Sequence, residues 1–390
     1  MHSVRSALLA FLCAILAMGV GIWLGGHPTS LPEPLRDLLV DDDRALRAEL
    51  IDEIQSNFYK QVDEAKLEDA SLKGIVRSLD DPYSHYLSPD EAQEFQDSVS
   101  GAFDGVGMTV EQDPRGLEVL SVFDGSPAKA GGIRRGDLIT AVDGRSIAGM
   151  ASDLATARIK GEPGTKVTLG VRRAGGKTGR SLTLTRKRVQ VPVVAGRIVE
   201  RDGKKIAVVR LASFSSGAHG LLRKEIDRLL EKGADGVVLD LRGNPGGLLT
   251  EGVLVSSIFV EDGKIVSVKG RSRAERVETA QGDAIDGDIP VVVLVDGGSA
   301  SAAEIVTGAL RDRKRATVVG VNTFGKGLVQ EVEELSNGGV LDLTVANYYT
   351  PNGKTITEQG ITPDVKAQDN PKTARDEALP VALDAVLQEQ

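Results

Sequence analysis

Hydrophobic and polar positions along the chain follow four successive patterns, each predicting a different kind of element. Residues Ala7 to Leu24 (ALLAFLCAILAMGVGIWL) are apolar all round and carry no charge. From 35 to 98, apolar residues recur at helical spacing, as in RALRAELIDEIQSNF. SLKGIVRSLDDPYSHYLSPDEAQEFQDSV then predicts a second helix, an Asp-Pro turn and a third helix capped by Ser88. From Gly101 to about Arg188 the texture changes to short strands and Gly-rich turns. A linker-like VQVPVV follows at Val189 to Val194. Beyond it, apolar strands (IAVVRLASF, GVVLDLRGN, IPVVVLV, ATVVGV) alternate with helical runs (HGLLRKEIDRLLEKG, AAEIVTGALRDR). That alternation predicts an α/β core with at least partly parallel strands. The end, DNPKTARDEALPVALDAVLQEQ, predicts a short amphipathic helix after a polar linker.

The expected architecture is therefore multidomain, of mixed α+β and α/β class. Its parts are a leader at 1–27, a helical region at 28–100, a β-domain at 101–188, an α/β core at 189–366 and a helical tail at 367–390. Arg5 precedes the leader's apolar run and the polar HPTSLPEP follows it, as in a secretory signal. The run is also long enough to act as an uncleaved membrane anchor. Ala17-Met18-Gly19 passes as a small-x-small cleavage site, whereas Cys13 lacks the small residues expected before a lipoprotein cysteine. Either way the bulk of the chain is expected outside the cytoplasm, in the periplasm or cell envelope.

Composition narrows the chemistry. With 390 residues the chain has room for two or three domains, and its net charge of −9 argues against a nucleic-acid partner. Cys13 is the sole cysteine, so no intrachain disulfide forms, and there is no CxxC. The histidines (His2, His27, His85, His219) form no HExxH. No metal and no cofactor are expected.

Three stretches carry candidate chemistry. In DGGSASAAEI (Asp296 to Ile305) a buried strand turns into a helix, and either Ser299 or Ser301 could present a hydroxyl at the helix start. In LDLRGNPGGLLTEG (Leu239 to Gly252) a strand ends in a Gly-rich loop before a helix, which offers free backbone N–H donors. The spacing of a phosphate-binding loop is missing there. In VNTFGKGLVQEVEEL (Val321 to Leu335) Lys326 sits between two glycines at a strand start, and Gln330 lies on the same strand face if the strand is regular.

The residues GAFDGVGMTV and GSPAKAGGIRRGDLITAVDGRSI resemble a PDZ domain over about Gly101 to Arg188. The resemblance implies capture of a substrate's C-terminal carboxylate by the loop Gly105, Val106, Gly107 and Met108. From about Glu53 to Val365 the ordered set SLDDPYSHYLSP, GAFDGVG, DLRGNPGG, SASAAEI, TFGKGLVQ and ANYYTPNGKTITEQGITPDV resembles the carboxy-terminal processing, or tail-specific, proteases. Those are serine peptidases with a Ser-Lys pair, and the resemblance implies a crotonase-like protease core. The family's nucleophile is the second serine of the S-A-S-A pair with its lysine 25 residues downstream, which Ser301 and Lys326 match and Ser299 does not. The same pattern implies Gln330 as the third member of the catalytic set. It implies oxyanion donors from the Gly246-Gly247 turn and from the backbone of Ala302. Many members have serine where Ala303 stands. A lysine of ordinary pKa, about 10.4, is mostly protonated at neutral pH, and burial lowers such a pKa by several units. Lys326 would then accept the Ser301 proton, which requires no histidine.

The expected partners are proteins or peptides with apolar C-termini. Two other readings compete: a non-catalytic PDZ adaptor or chaperone with a decayed core, and a crotonase-like acyl-CoA enzyme. A secreted chain with a PDZ domain argues against the second, because acyl-CoA chemistry is cytosolic. Structural roles are expected for Asp80-Asp81 (a turn before Pro82), Asp41-Asp42-Asp43 (a linker or cap), His219, and Tyr348 and Tyr349 (strand packing). The amphipathic ends, 35–98 and 370–388, are expected as surfaces for a homodimer.

Overall fold

The computed structural model describes residues 42–389, apart from 174, 175, 177, 273, 371, 372 and 374. The apolar run Ala7 to Leu24, expected as a signal or anchor, lies outside the described residues, as does Asp41. Among the described residues no helix is long and apolar enough to cross a membrane. The chain divides into two units, Met1–Ser88 and Pro89–Gln390.

The first unit contains α1 (Asp42–Asn57), α2 (Glu64–Arg77) and the short strand β1 (His85–Leu87). Asp63 caps α2, accepting the Ala65 N–H at 3.1 Å. The carboxylate of Asp81 accepts the Tyr83 N–H and the Ser84 hydroxyl, so the Asp-Pro segment is a turn, as the sequence predicts. The expectation of helix from 35 to 98 is corrected at β1. Its residues His85, Tyr86 and Leu87 alternate exposed, buried and half-buried, the two-residue period of a strand.

The second unit opens with α3 (Pro89–Ser100) and a β-domain. That domain comprises β2 (Ala102–Gly105), β3 (Met108–Asp113), β4 (Gly116–Val122), α4 (Pro127–Ala130), β5 (Leu138–Val142), β6 (Arg145–Ser146), α5 (Ser152–Ile159), β7 (Lys166–Arg172), β8 (Gly179–Thr185) and β9 (Lys187–Gln190). One sheet runs β3-β4-β5-β7-β8, with β6 on β5, and β2 pairs separately with β9. Strand β7 shows why: Val167, Leu169 and Val171 alternate into the domain's core while their neighbours do not. The segment read as a linker from Val189 is partly strand, because Val189 is buried opposite Phe103 of β2.

The core follows with β10 (Val194–Arg201), β11 (Lys204–Leu211), α6 (Ala218–Glu231), β12 (Gly236–Asp240), α7 (Leu249–Ser257), β13 (Lys264–Gly270), β14 (Arg276–Thr279), β15 (Val291–Val295), α8 (Ala302–Asp312), β16 (Thr317–Gly320), β17 (Leu328–Glu334), β18 (Val340–Tyr349), β19 (Val365–Lys366) and α9 (Ala378–Gln388). The main sheet runs β10-β11-β12-β15-β16-β19, parallel except for the edge strand β10. Strand β15 is buried at every position because both its faces are covered. Val291, Val293 and Val295 share a cluster with Ile226 of α6 and Val306 of α8. Val292 and Leu294 share another with Ala382, Leu383 and Val386 of α9. The expectation that the C-terminal helix offers a dimer surface is corrected here, since its apolar face is occupied by the chain's own sheet. Strand β18 also pairs antiparallel with β17 and β13, and β13 with β14.

Candidate active site

The site grows out of the turn between β15 and α8. Ser299 is fully buried there, and its hydroxyl donates to the Leu241 carbonyl at 2.8 Å and accepts the Asp296 N–H at 3.0 Å. It ties the turn to the end of β12. Ser301, two residues on, is the N-cap of α8 and keeps a small exposed fraction of 8%. Its backbone lies at φ +53°, ψ −115°, a sparsely populated conformation for a residue with a side chain.

The carboxylate of Glu304 holds that conformation. One oxygen accepts the Ser301 N–H and the Lys326 N–H, each at 2.9 Å, so the two backbone nitrogens are at most twice that distance apart. The other accepts the Gly325 N–H at 2.7 Å and the Thr323 hydroxyl at 2.5 Å. Glu304 is fully buried, and burial pushes its carboxyl above the usual range, opposed by these four donors. Sequence reasoning missed Glu304. The signal was present, since Ser301-x-x-Glu304 is a capping box opening a helix.

Lys326 and Gln330 meet as expected, with Lys326 Nζ 2.6 Å from Gln330 Oε1. The route differs from the regular strand the sequence suggested. Strand β17 begins only at Leu328, and its register shifts between Val329 and Gln330, a bulge that re-aims the glutamine. Gln330 Nε2 donates to Asp342 at 3.2 Å.

The Gly246-Gly247 turn packs directly on the serine. A Cβ at Gly246, where φ is +98°, would lie 2.8 Å from the Ser301 Cβ and 3.0 Å from the Ala302 nitrogen. Only glycine permits this approach. The expected donors are not equivalent, however. The Gly246 N–H is engaged by Asn244 Oδ1 at 2.8 Å. The Gly246 carbonyl accepts from the Phe214 N–H and the Ser213 hydroxyl, and the Phe214 carbonyl accepts from the Leu248 N–H; among the described residues none of these bonds uses the Gly247 N–H. Ala302 is the first residue of α8, where an N–H has no acceptor within the helix. Asn244, also fully buried, accepts the Ala300 N–H on its carbonyl and donates its side-chain amide to Leu211, which locks loop and turn together.

Tyr348 packs in a buried cluster with Ile305 of α8 and Val329 of β17. It is 5% exposed. Burial pushes the phenol up to about 12, opposed by the charge of Arg276. Its backbone N–H donates to the Gly327 carbonyl at 2.8 Å. His219 is structural as expected, its Nδ1 lying 2.8 Å from the buried carboxylate of Glu251.

In the β-domain, a cavity of about 450 Å³ is lined by Gly105, Val106, Gly107 and Met108 on one side and by Ser152, Thr156 and Ile159 on the other. Phe103 and Phe123 meet edge to face at its wall. The carbonyls of Val106 and Gly107 are held by the N–H groups of Ala128 and Phe123. A larger cavity, about 870 Å³, lies against the C-terminal half of α8 and includes none of these residues.

Comparison with known proteins identifies the family. The model of peptidase family S41 matches residues 205–367, that of the PDZ domain residues 93–172, and that of the activating protease CtpB N-terminal domain residues 48–91. The carboxy-terminal processing protease CtpA of Bacillus subtilis (strain 168) is 39% identical over 318 residues, covering 81% of this chain and 67% of the relative. A carboxyl-terminal-processing protease of Synechocystis sp. is 36% identical over 363 residues, covering 90% and 85%. A solved S41 protease structure from Bacteroides fragilis aligns over 81% of this chain and 89% of its own, with 20% identity and a TM-score of 0.51, a likeness of fold. The chain belongs to the carboxy-terminal-processing proteases and is a serine peptidase of family S41 with a PDZ domain.

Proposed function

We propose that the chain is an endopeptidase that acts outside the cytoplasm and selects proteins by an apolar C-terminal tail. Ser301 attacks the scissile carbonyl while Lys326, as the neutral amine, takes the hydroxyl proton and returns it to the leaving amine. Gln330 holds the amine in place. The oxyanion is received by the N–H groups of Gly247 and Ala302, with Gly246 closing the wall of the hole. The PDZ loop Gly105 to Met108 captures the substrate's terminal carboxylate, and either delivers the tail or opens the site.

The observation that carries this reading is the single Glu304 oxygen shared by the backbones of Ser301 and Lys326, with the lysine amine held by Gln330. The uncharged run Ala7 to Leu24 supports export or anchoring. In the N-terminal unit Leu46, Leu50, Phe58 and Tyr59 are exposed, which supports self-association there; analytical ultracentrifugation of the Leu46→Glu/Leu50→Glu variant tests it.

Ser301→Ala and Lys326→Ala are each expected to abolish cleavage of a protein bearing an apolar tail while leaving the melting temperature within a few degrees of wild type. Cleavage at the wild-type rate in either variant would refute the pair. Blocking the tail's carboxylate by amidation is expected to raise KM, and an unchanged KM would remove the PDZ step. Labelling of Ser301 by a fluorophosphonate separates a working peptidase from a non-catalytic adaptor.

A further inference from the structure

We infer that Asp342 is a positioning residue for the base: its carboxylate sets which end of the Gln330 amide faces Lys326, and so leaves the lysine's lone pair free for the Ser301 proton. The inference rests on the reading of Ser301 as nucleophile, Lys326 as base and Gln330 as the group that holds the amine.

Asp342 stands where an aspartate is costly. It lies inside VLDLTVANYY, the run that forms β18, and aspartate is disfavoured within strands. It is also 7% exposed, and burying a carboxylate costs stability unless donors face it. The strand register shows what it meets. Gln330 of β17 lies opposite Thr344, and Val332, two residues on, lies opposite Asp342. Asp342 is therefore the diagonal neighbour of Gln330, within reach of a long side chain. Gln330 Nε2 donates to the carboxylate at 3.2 Å, and Gln330 Oε1 lies 2.6 Å from Lys326 Nζ. One amide thus links the buried carboxylate to the amine.

The chemistry follows from the two ends of that amide. They are nearly alike in shape, but one accepts and the other donates, so their partners decide which way the amide faces. A carboxylate only accepts. It holds Nε2 and turns Oε1 toward the lysine. A neutral amine has two N–H groups and one lone pair. Oε1 takes one N–H, which leaves the lone pair for the Ser301 hydroxyl. With the amide turned over, Nε2 would donate into that lone pair, and Lys326 could not take the proton. Asp342 acts through Gln330 and receives no proton itself.

Asp342→Leu keeps the branching of the side chain and removes the acceptor. It is expected to lower kcat for a tail-bearing substrate at least about tenfold, to leave KM within about twofold, and to slow fluorophosphonate labelling of Ser301 in step. Asp342→Asn offers an amide oxygen in the same place and is expected to recover at least about a third of the wild-type kcat. A double-mutant cycle separates this role from a loss of packing. In a Gln330→Met background, Asp342→Leu is expected to change kcat by less than about twofold, since no amide is left to orient. If Asp342→Leu fails to fold, Asp342→Ala takes its place throughout. A kcat in the single variant above wild type, or within about twofold of it, would overturn the inference. So would an equal loss with and without Gln330, an Asp342→Asn variant as slow as Asp342→Leu, or a Gln330→Met variant as fast as wild type. Activity in Ser301→Ala or Lys326→Ala would remove the underlying reading, whereas both dead beside a fully active Asp342→Leu would remove this inference alone.

Discussion

The carboxylate of Glu304 accepts four hydrogen bonds, two on each oxygen, from groups that flank the nucleophile and the lysine. Glu304→Gln keeps the shape but turns an amino group toward two of those donors. Each buried donor left unsatisfied costs about 1–3 kcal/mol, so the melting temperature is expected to fall by several degrees. A kcat loss of at least about tenfold should accompany it, because a small displacement of catalytic groups is enough to cost that much. The raised carboxyl pKa also has a sign. Between the ordinary and the raised value the folded protein binds more protons than the unfolded chain, so this group's contribution to stability falls as pH rises through that window. Denaturation midpoints measured against pH should show a shallower slope in Glu304→Gln than in wild type. The strained backbone of Ser301 makes a second prediction. Ser301→Gly is expected to be inactive yet about 1 kcal/mol more stable than Ser301→Ala, since glycine tolerates φ +53°; urea denaturation measures the difference. At this scale Ser301, Lys326 and Gln330 were legible because their spacing in the chain is itself the signal. The packing of Tyr348 against α8 and β17 was not, because nothing local to NYYTPNG says which elements that ring will meet. The Gly246-Gly247 turn was legible as a source of N–H donors, but its close approach to Ser301 and the engagement of the Gly246 N–H were not, since they depend on the fold and on where the Asn244 side chain turns.

Arg242 shows how elements hold the site from behind. Its guanidinium bonds Asp240 at the end of β12 and Asp369 and Asp376 in the segment before α9. Burial pulls its pKa down, and the hydrogen bonds to Asp240 and Asp376 more than offset this and hold it above the ordinary arginine value. The Gly-rich loop beside Ser301 begins at the next residue. Arg242→Met leaves three carboxylates facing one another. The expected loss, measured by chemical denaturation, is about 2 kcal/mol, discounted because Asp369 and Asp376 are partly exposed. The helices and the buried strands of the main sheet were legible from periodicity, since β15 reads as a continuous apolar run for the same reason that it is covered on both faces. Strand β1, the strand content of VQVPVV and the bulge before Gln330 were not legible. Each depends on a pairing partner or an irregularity that the period of its own segment does not encode.

At the scale of the whole molecule, the β-domain and the core touch where α3 leads into β2. The Val99 carbonyl accepts the Ser216 N–H at 3.1 Å, and a Cβ on Gly101, where φ is +63°, would lie 2.4 Å from Ser215 Oγ. The preceding residue, Phe214, is bonded to the Gly246-Gly247 turn. Strand β2, which leads into the loop proposed to bind the tail, therefore starts against the segment that supports the proposed oxyanion hole. Gly101→Ala is expected to lower kcat while leaving the Kd of a tail peptide unchanged, read by calorimetry beside kinetics. Domain order was legible because each part carries its own motif. The role of α9 was misjudged, because amphipathicity says that a face will be covered without saying by what. The proposed chemistry can be read from one residue all the same. Intact-protein mass spectrometry after fluorophosphonate treatment should show a single adduct mapping to Ser301 in wild type and none on the same timescale in Lys326→Ala. An adduct on another residue, or equal labelling without the lysine, would contradict the Ser301–Lys326 pair.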